Sequence, residues 1–136
     1  MIRKILTIVC LLCSMIASAQ SVNLKDMKRS ERNKYLRQIA KEAVLNFGPN
    51  YYREYKEFEI PKTVYTFTTE DEREEFTKHI GRKYYAVFIR YDKTKEKMSA
   101  DFAARVYVWE DTGEPFRIMF GCNWGRNFFF EPYFEM

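Results

Sequence analysis

Two arginines interrupt strand-like segments that are otherwise apolar or aromatic, and their side chains are suited to binding an anion. Arg90 lies in YYAVFIRY, and Arg105 lies in FAARVYVW beside Tyr107 and Trp109. A guanidinium among aromatic rings binds carboxylate or phosphate groups well when the site is concave. We therefore expect Arg90, Arg105, Tyr107 and Trp109 to bind a small anionic ligand if the sheet has a pocket. If that face is solvated, the arginines are ordinary surface charges over rings.

A second group of side chains suited to binding lies in the segment FGCNWGRNFF. Gly121 and Gly125 bracket Trp124, which predicts a bulge or tight bend between two strands. Such a bend would aim Asn123, Trp124 and Arg126 outwards, where an indole suits stacking on a sugar ring or gripping a protein partner. The alternative is that Trp124 closes one end of the core while Arg126 faces water.

The last ten residues, NFFFEPYFEM, form either a core strand or an apolar docking surface. Alternation predicts an edge strand over 127–131, which Pro132 ends because proline cannot continue a hydrogen-bonded ladder. A monomer rarely exposes so large an apolar surface, so the domain itself or a partner covers it. The candidate partner-binding residues are Asn123, Trp124, Arg126, Phe128, Phe130, Tyr133 and Phe134.

The residue types needed for catalysis are sparse. The single histidine, His79, follows Glu72 and Glu75 at helical spacing, but a metal site needs further ligands and an ordered second shell. Catalysis through Cys122 would need a base nearby, and nothing in the sequence places His79 beside it. We expect Cys122 to be a small buried apolar residue. The sequence predicts no cofactor and no metal, and it favours binding over catalysis.

Residues 1–19 have the pattern of a cleaved signal peptide. A short basic start is followed by an apolar run and by Ala-Ser-Ala, which predicts cleavage before Gln20. The apolar run is shorter than the roughly 20 residues that a spanning helix needs. We therefore expect a protein of the periplasm or the cell exterior, not an integral membrane protein. It would have a flexible segment over 20–28 and a single domain over 29–136.

The composition is that of one small domain with a large aromatic core. The 12 Phe, 10 Tyr and 2 Trp all lie beyond residue 20. Each ring can cover on the order of 150–250 Å², so the chain can build a core without disulfides. The net charge of +4 falls to +2 without the two basic residues of the signal. That balance does not predict a nucleic-acid-binding protein.

The first half of the mature chain predicts a long helix, a short helix and a strand. Ser30 is the expected N-cap, and Gly48 followed by Pro49 is the expected stop. The residues 50–58 fit a short helix better than a strand, and TVYTFT over 63–68 predicts a strand. The apolar stripe of the long helix consists of Leu36, Ile39, Ala40, Ala43, Val44 and Phe47.

The second half predicts a surface helix followed by antiparallel strands. Thr69 and Glu72 match a capping box, and Gly81 is the expected end of that helix. After Gly81 the apolar period changes to two, as in strands. The turn EDTGEP predicts a hairpin, with Gly113 free to take a positive φ. In YYAVFIRY the side of Tyr85, Val87, Ile89 and Tyr91 is wholly apolar, and in FRIMFGC one face has Phe116, Ile118, Phe120 and Cys122. In FAARVYVW the two sides are Phe102, Ala104, Val106 and Val108 against Ala103, Arg105, Tyr107 and Trp109.

This order of elements predicts an α+β fold. The N-terminal helix would pack on a curved antiparallel sheet of about four to five strands, with a second helix on the surface. The order is similar to that of the NTF2-like and cystatin-like superfolds, in which a curved sheet wraps a helix. NTF2-like enzymes commonly pair a histidine with an aspartate inside the cone, but His79 is expected on the surface helix. The resemblance implies a fold and no function.

Together these patterns predict a secreted domain of the bacterial envelope that acts by binding. The first interpretation is a protein-interaction or inhibitor-type module that uses the Trp124 bend and the C-terminal segment. The second is a binder of a small anionic ligand that uses Arg90 and Arg105. An enzyme is the remaining alternative.

Overall fold

The computed structural model describes residues 21–127 and shows a long helix packed on one antiparallel sheet. The predicted α+β class with a curved sheet is confirmed, with six strands in place of the four to five expected. The elements in chain order are the 3₁₀ turn Leu24–Asp26, helix α1 (Arg29–Phe47), the 3₁₀ turn Pro49–Tyr51, strands β1 (Phe58–Glu59) and β2 (Tyr65–Thr66), helix α2 (Glu74–Thr77), and strands β3 (Lys83–Ile89), β4 (Ala104–Trp109), β5 (Pro115–Phe120) and β6 (Trp124–Asn127).

The sheet is a meander from β3 to β6, with two short strands along its first edge. The neighbours follow the order β1-β3-β4-β5-β6, and β2 also pairs with β3. Phe58 of β1 lies opposite Ile89, whereas Tyr65 of β2 lies opposite Tyr84. The strands β1 and β2 therefore share one side of β3, and β6 is the last strand at the other end of the order.

Helix α1 covers one face of this sheet, and the apolar stripe that the sequence predicts is confirmed. The helix ends at Phe47 and Gly48 is its C-cap, as expected. Alternate residues of β3, β4 and β5 meet the stripe, because successive strand side chains point to opposite faces. The buried members of this main core include Leu36, Ala40, Ala43 and Val44 from the helix and Val87, Ile89, Val106, Val108, Ile118 and Phe120 from the sheet.

The opposite face of the sheet, here called the aromatic face, carries a second buried cluster. Residues of β2, α2 and the adjoining loop cover one end of it, with Phe67 and Phe76 buried there. Tyr107 and Trp109 of β4 lie on this face, as their alternation predicts. The aromatic face consists of Tyr65, Phe67, Phe76, Tyr84, Ala86, Phe88, Arg105, Tyr107, Trp109, Phe116, Arg117 and Met119.

The predicted apolar face of β5 is wrong at both of its ends. A register shift between Tyr107 and Val108 places Phe116 on the aromatic face, where its ring stacks on Trp109 at 3.7 Å between centroids. Bulges of this kind turn a strand over locally, and alternation alone does not reveal them. At the other end, Cys122 is exposed in the turn after β5 rather than buried, because the strand ends at Phe120.

The start of α1 differs from the prediction. Lys28 is the cap residue and makes no side-chain cap hydrogen bond, so Ser30 lies inside the first turn. The first helical hydrogen bond runs from the backbone N–H of Arg32 to the carbonyl of Lys28, at 2.8 Å. The helix therefore begins before the serine that could have capped it.

The short helix predicted over 50–58 is wrong. Helical hydrogen bonding stops at the 3₁₀ turn Pro49–Tyr51, and the chain then runs to β1. The guanidinium of Arg53 donates to the carbonyls of Asn50 and Tyr52 and forms an ion pair with Glu96 at 2.6 Å. These contacts, one of them with a distant loop, override the local helical pattern.

The capping box predicted before the surface helix is also wrong. The hydroxyl of Thr69 accepts from the backbone N–H of Asp71, and the Asp71 carboxylate accepts from that of Arg73. Short polar side chains that capture local N–H groups in this way favour turns over helix. The helix α2 therefore begins only at Glu74, although Gly81 does take a positive φ of 90° after it.

Residues 22–27, which the sequence places in a flexible segment, are packed against the β4–β5 hairpin. The backbone N–H groups of Val22 and Leu24 donate to the carbonyls of Thr112 and Glu110, at 2.7 and 2.8 Å. The Leu24 side chain is fully buried in the main core. Because removing this leucine from water is favourable, its burial holds the segment against the domain.

The last strand begins earlier than predicted. The turn after β5 is short because Asn123 adopts a positive φ of 64°, and β6 therefore starts at Trp124 rather than at 127. The rest of the predicted strand and the candidates Phe128, Phe130, Tyr133 and Phe134 lie outside the described residues. Within residues 21–127, no helix combines the length and the apolar character that crossing a bilayer requires.

Candidate functional site

Arg105 lies in the middle of the aromatic face, enclosed by rings. Its guanidinium carbon is 4.7 Å from the centroid of Tyr107, 4.9 Å from that of Phe88 and 5.8 Å from that of Tyr65. Its Nε is buried and has no hydrogen-bond partner. Rings stabilise a cation by about 0.5–2 kcal/mol but accept no conventional hydrogen bond from it. The donors of Arg105 are therefore held in place and incompletely satisfied.

Arg117 is a second guanidinium on this face, and the sequence analysis missed it. It lies directly opposite Tyr107 across the β4–β5 ladder, with its guanidinium carbon 5.7 Å from the centroid of that ring. Its Nε donates to the side-chain oxygen of Asn127. Arg117 interrupts the apolar run PFRIMF as Arg105 interrupts its own strand, so the sequence pattern could have identified it as a candidate. Only the strand register shows that both arginines contact the ring of Tyr107.

Arg90 and Arg105, the two arginines of the predicted anion site, lie beside the same ring but differ in their charged neighbours. Both guanidiniums contact the ring of Phe88, at 4.5 and 4.9 Å from its centroid. However, Arg90 forms ion pairs with Glu59 and Asp101, each at 3.0 Å. Hydrogen bonds to Glu59 raise the pKa of Arg90 and lower that of the carboxylate. The charge of Arg90 is therefore already compensated, and Arg117 takes its place as the second cation.

Three tyrosine rings pack together beside the two cations. Tyr84 stacks with Tyr65 and meets Tyr107 edge-on, with ring centroids 5.4 Å apart in each pair. Burial raises the pKa of Tyr107, while Arg105 and Arg117 oppose that shift. The Tyr107 hydroxyl therefore stays protonated near neutral pH and can donate a hydrogen bond to an anion.

Trp109 lies at the other end of this cluster, where it contacts Tyr84 edge-on and is covered by Arg82 and His79. The guanidinium of Arg82 is 4.0 Å from its ring centroid, and the His79 ring stacks on it at 5.2 Å. Trp109 is only 4% exposed. The expected direct contact of Trp109 with a ligand is therefore blocked, and its role on this face is to support the ring cluster.

His79 is bound into this cover as a neutral group. Its Nδ1 lies 2.7 Å from a terminal nitrogen of Arg82, which can only donate, so Nδ1 must accept. Burial lowers the pKa of His79, and the neighbouring charges of Arg82 and Lys78 lower it further. Among residues 21–127, no three His, Cys, Asp or Glu side chains lie together as a metal site would require.

Three members of the other predicted binding group, Asn123, Trp124 and Arg126, lie within the described residues, in the turn after β5 and in β6. Asn123 and Trp124 are exposed, and Arg126 is partly buried with its guanidinium 4.5 Å from the ring centroid of Phe47. The Trp124 ring stacks on Phe120, and its indole N–H donates to the hydroxyl of Tyr51. The predicted bend therefore brings the indole to the surface while one of its faces rests on the core.

Comparison of this chain with protein-family models, with curated proteins and with solved structures finds no match in any of the three. The fold and the two groups of side chains therefore define the class, which is a single-sheet α+β domain with an arginine-bearing aromatic face.

Proposed function

We propose that this protein is a binding domain that holds an anionic ligand on its aromatic face, between Arg105 and Arg117. The observation that carries the proposal is that both guanidiniums contact one ring, that of Tyr107, and that neither has a carboxylate partner among the described residues. Because the guanidinium carbons lie 4.7 and 5.7 Å from the centroid of that ring, they are at most about 10 Å apart. A small molecule with two negatively charged groups, such as two carboxylates, is the kind of ligand that could contact both.

The contrast with other arginines of the domain supports this assignment. Arg53, Arg73, Arg82 and Arg90 each form an ion pair with Asp or Glu, at 2.6–3.0 Å. A half-buried guanidinium normally acquires such a partner, because desolvating an unpaired charge is costly. A ligand that supplies the missing anion would complete the arrangement, with hydrogen bonds from both guanidiniums and from the Tyr107 hydroxyl.

The test is isothermal titration of the folded domain with phosphate, pyrophosphate and citrate. We expect binding that weakens as salt is added, because salt screens charge–charge attraction. Replacing both Arg105→Gln and Arg117→Gln should weaken it at least about tenfold, since a hydrogen bond to a charged group contributes about 1.5–3 kcal/mol.

The matched control removes two positive charges elsewhere, with Arg29→Gln and Arg37→Gln on the exposed surface of α1. This variant should bind within about twofold of the parent, because its net charge changes equally but its aromatic face does not. Equal loss in both double variants would mean that only net charge matters. Absence of binding by all three anions at millimolar concentration would contradict the proposal.

We further propose that the domain works outside the cytoplasm, because residues 1–19 have the charge, apolar run and small residues of a cleaved signal. We also propose that the domain is related in fold to the NTF2-like or cystatin-like superfolds. The long helix packed against a curved sheet supports this relation. Mass spectrometry of the protein recovered from the envelope of producing cells should give a chain that starts at Gln20. A chain that starts at Met1 in the cytoplasm would contradict export.

A further inference from the structure

Trp124 presents a fixed, open indole surface at the end of the β5–β6 hairpin. It is 44% exposed, whereas the only other tryptophan, Trp109, is 4% exposed. Its ring lies on that of Phe120 with centroids 4.1 Å apart and planes 25° apart. The indole N–H donates to the Tyr51 hydroxyl at 2.8 Å. One face and the nitrogen edge are therefore used by the protein, and the exposed area belongs to the other face and the outer edge.

The exposed residues next to this indole in the chain are small or polar and carry no charge. The exposed residues that flank it in the chain are Cys122, Asn123 and Gly125. The Tyr51 hydroxyl accepts from the indole and keeps its own O–H free to donate. Within the described residues no cation lies over the Trp124 ring, since Arg126 is placed over Phe47. The indole is therefore a flat apolar surface with hydrogen-bonding groups at its rim.

This combination restricts the chemistry of an occupant. Among the described residues no cation stacks on the ring, and the guanidinium of Arg126 is held over Phe47 instead. A protein hot spot would need a surrounding apolar area that excludes water, and the flanking residues are small or polar. A pyranose has an apolar C–H face of about the size of an aromatic ring and hydroxyl groups around its edge. Those hydroxyls need polar neighbours, because unpaired hydroxyls are costly to desolvate.

We propose that Trp124 is a stacking platform for a pyranose ring of a neutral oligosaccharide, with Asn123 and the Tyr51 hydroxyl as hydrogen-bonding neighbours. This site is distinct from the anion site. Trp124 rests on Phe120, which belongs to the main core, whereas Arg105 and Arg117 lie on the aromatic face. The two sites can therefore be tested independently.

The experiment follows tryptophan fluorescence of the domain during titration with cellotetraose and with tetra-N-acetylchitotetraose. Because the other tryptophan is buried, a sugar on Trp124 should shift the emission and reduce quenching by acrylamide. Trp124→Ala should weaken binding at least about tenfold, and Trp124→Phe should fall between this variant and the parent. Trp124→Ala and Trp124→Phe both lack the tryptophan whose emission reports binding. Their affinities for the sugars are therefore measured by calorimetry.

Two controls separate this proposal from others. Tyr55→Ala removes a different aromatic side chain, which is 53% exposed, and should leave sugar binding unchanged. Sugar binding should also persist in half-molar salt and in the variant that lacks Arg105 and Arg117. No binding of either sugar at ten millimolar, or equal binding by the parent and Trp124→Ala, would overturn the proposal. Protection of Trp124 by a protein ligand but by neither sugar would overturn it as well.

Discussion

Truncation of Phe120 to alanine should lower the free energy of unfolding by about 3–5 kcal/mol. The ring is 1% exposed and fills the space beside Gly48, where an added Cβ would lie only 2.2 Å from it. It also contacts Tyr51 at 4.7 Å and Trp124 at 4.1 Å between centroids. Its removal would therefore leave a cavity between helix α1, the 3₁₀ turn and the β5–β6 hairpin.

Thermal unfolding followed by circular dichroism measures this effect. A loss of that size corresponds to a midpoint lower by on the order of 15–25 °C for a domain of this length. Leu45→Ala is the matched control, because Leu45 is 42% exposed on α1 and its truncation creates no cavity. A fall of less than about 5 °C for Phe120→Ala would show that the ring packs less closely than its burial indicates.

Truncation of Leu24 to alanine should cost about 2–5 kcal/mol, although the residue precedes α1 and the sheet. Its side chain is fully buried, and its backbone N–H is bound to the carbonyl of Glu110. Chemical denaturation with urea measures the loss of free energy. The slope of that free energy against urea concentration also shows whether the surface exposed on unfolding has changed. Lys25→Ala, at the exposed neighbouring position, should change stability by less than about 0.5 kcal/mol.

A second variant that begins at Lys28 tests the whole segment rather than one side chain. It should lose at least as much stability as Leu24→Ala, because it also removes both backbone hydrogen bonds to the hairpin. If both variants unfold like the parent, the segment contributes nothing to the fold. The flexible N-terminus expected from the sequence would then be the better description.

The parts of the fold that follow simple periodicity could be predicted from the sequence. The stripe of α1 and the alternation in β3 identify their core residues correctly, and the alternation in β4 separates its two faces, because each element keeps one period throughout. Phe116 could not be placed in this way, since the register shift beside it reverses the side of the strand. The helix over 50–58 failed because the ion pair of Arg53 with Glu96 is invisible in local sequence.

The sequence led to an anion site of arginine and aromatic side chains, but it named only some of the residues that the candidate site contains. An arginine among aromatic strand residues led to Arg105 and to Tyr107. Whether such an arginine is compensated depends on segments far away in the chain, as with Glu59 and Asp101 beside Arg90. The pairing of Arg105 with Arg117 through Tyr107 needed the register of two strands, which no pattern within a single strand contains.

The docking of residues 22–27 on the β4–β5 hairpin has a consequence for the order in which the domain forms. Val22 and Leu24 leave the ribosome well before their hydrogen-bond partners Thr112 and Glu110, which lie more than 80 residues further along the chain. Contacts between such distant parts of a chain form slowly, because a long loop must close first. The main core therefore cannot be completed during synthesis until the β4–β5 hairpin has emerged, and a nascent chain that ends before it lacks the two carbonyl groups that bind Val22 and Leu24.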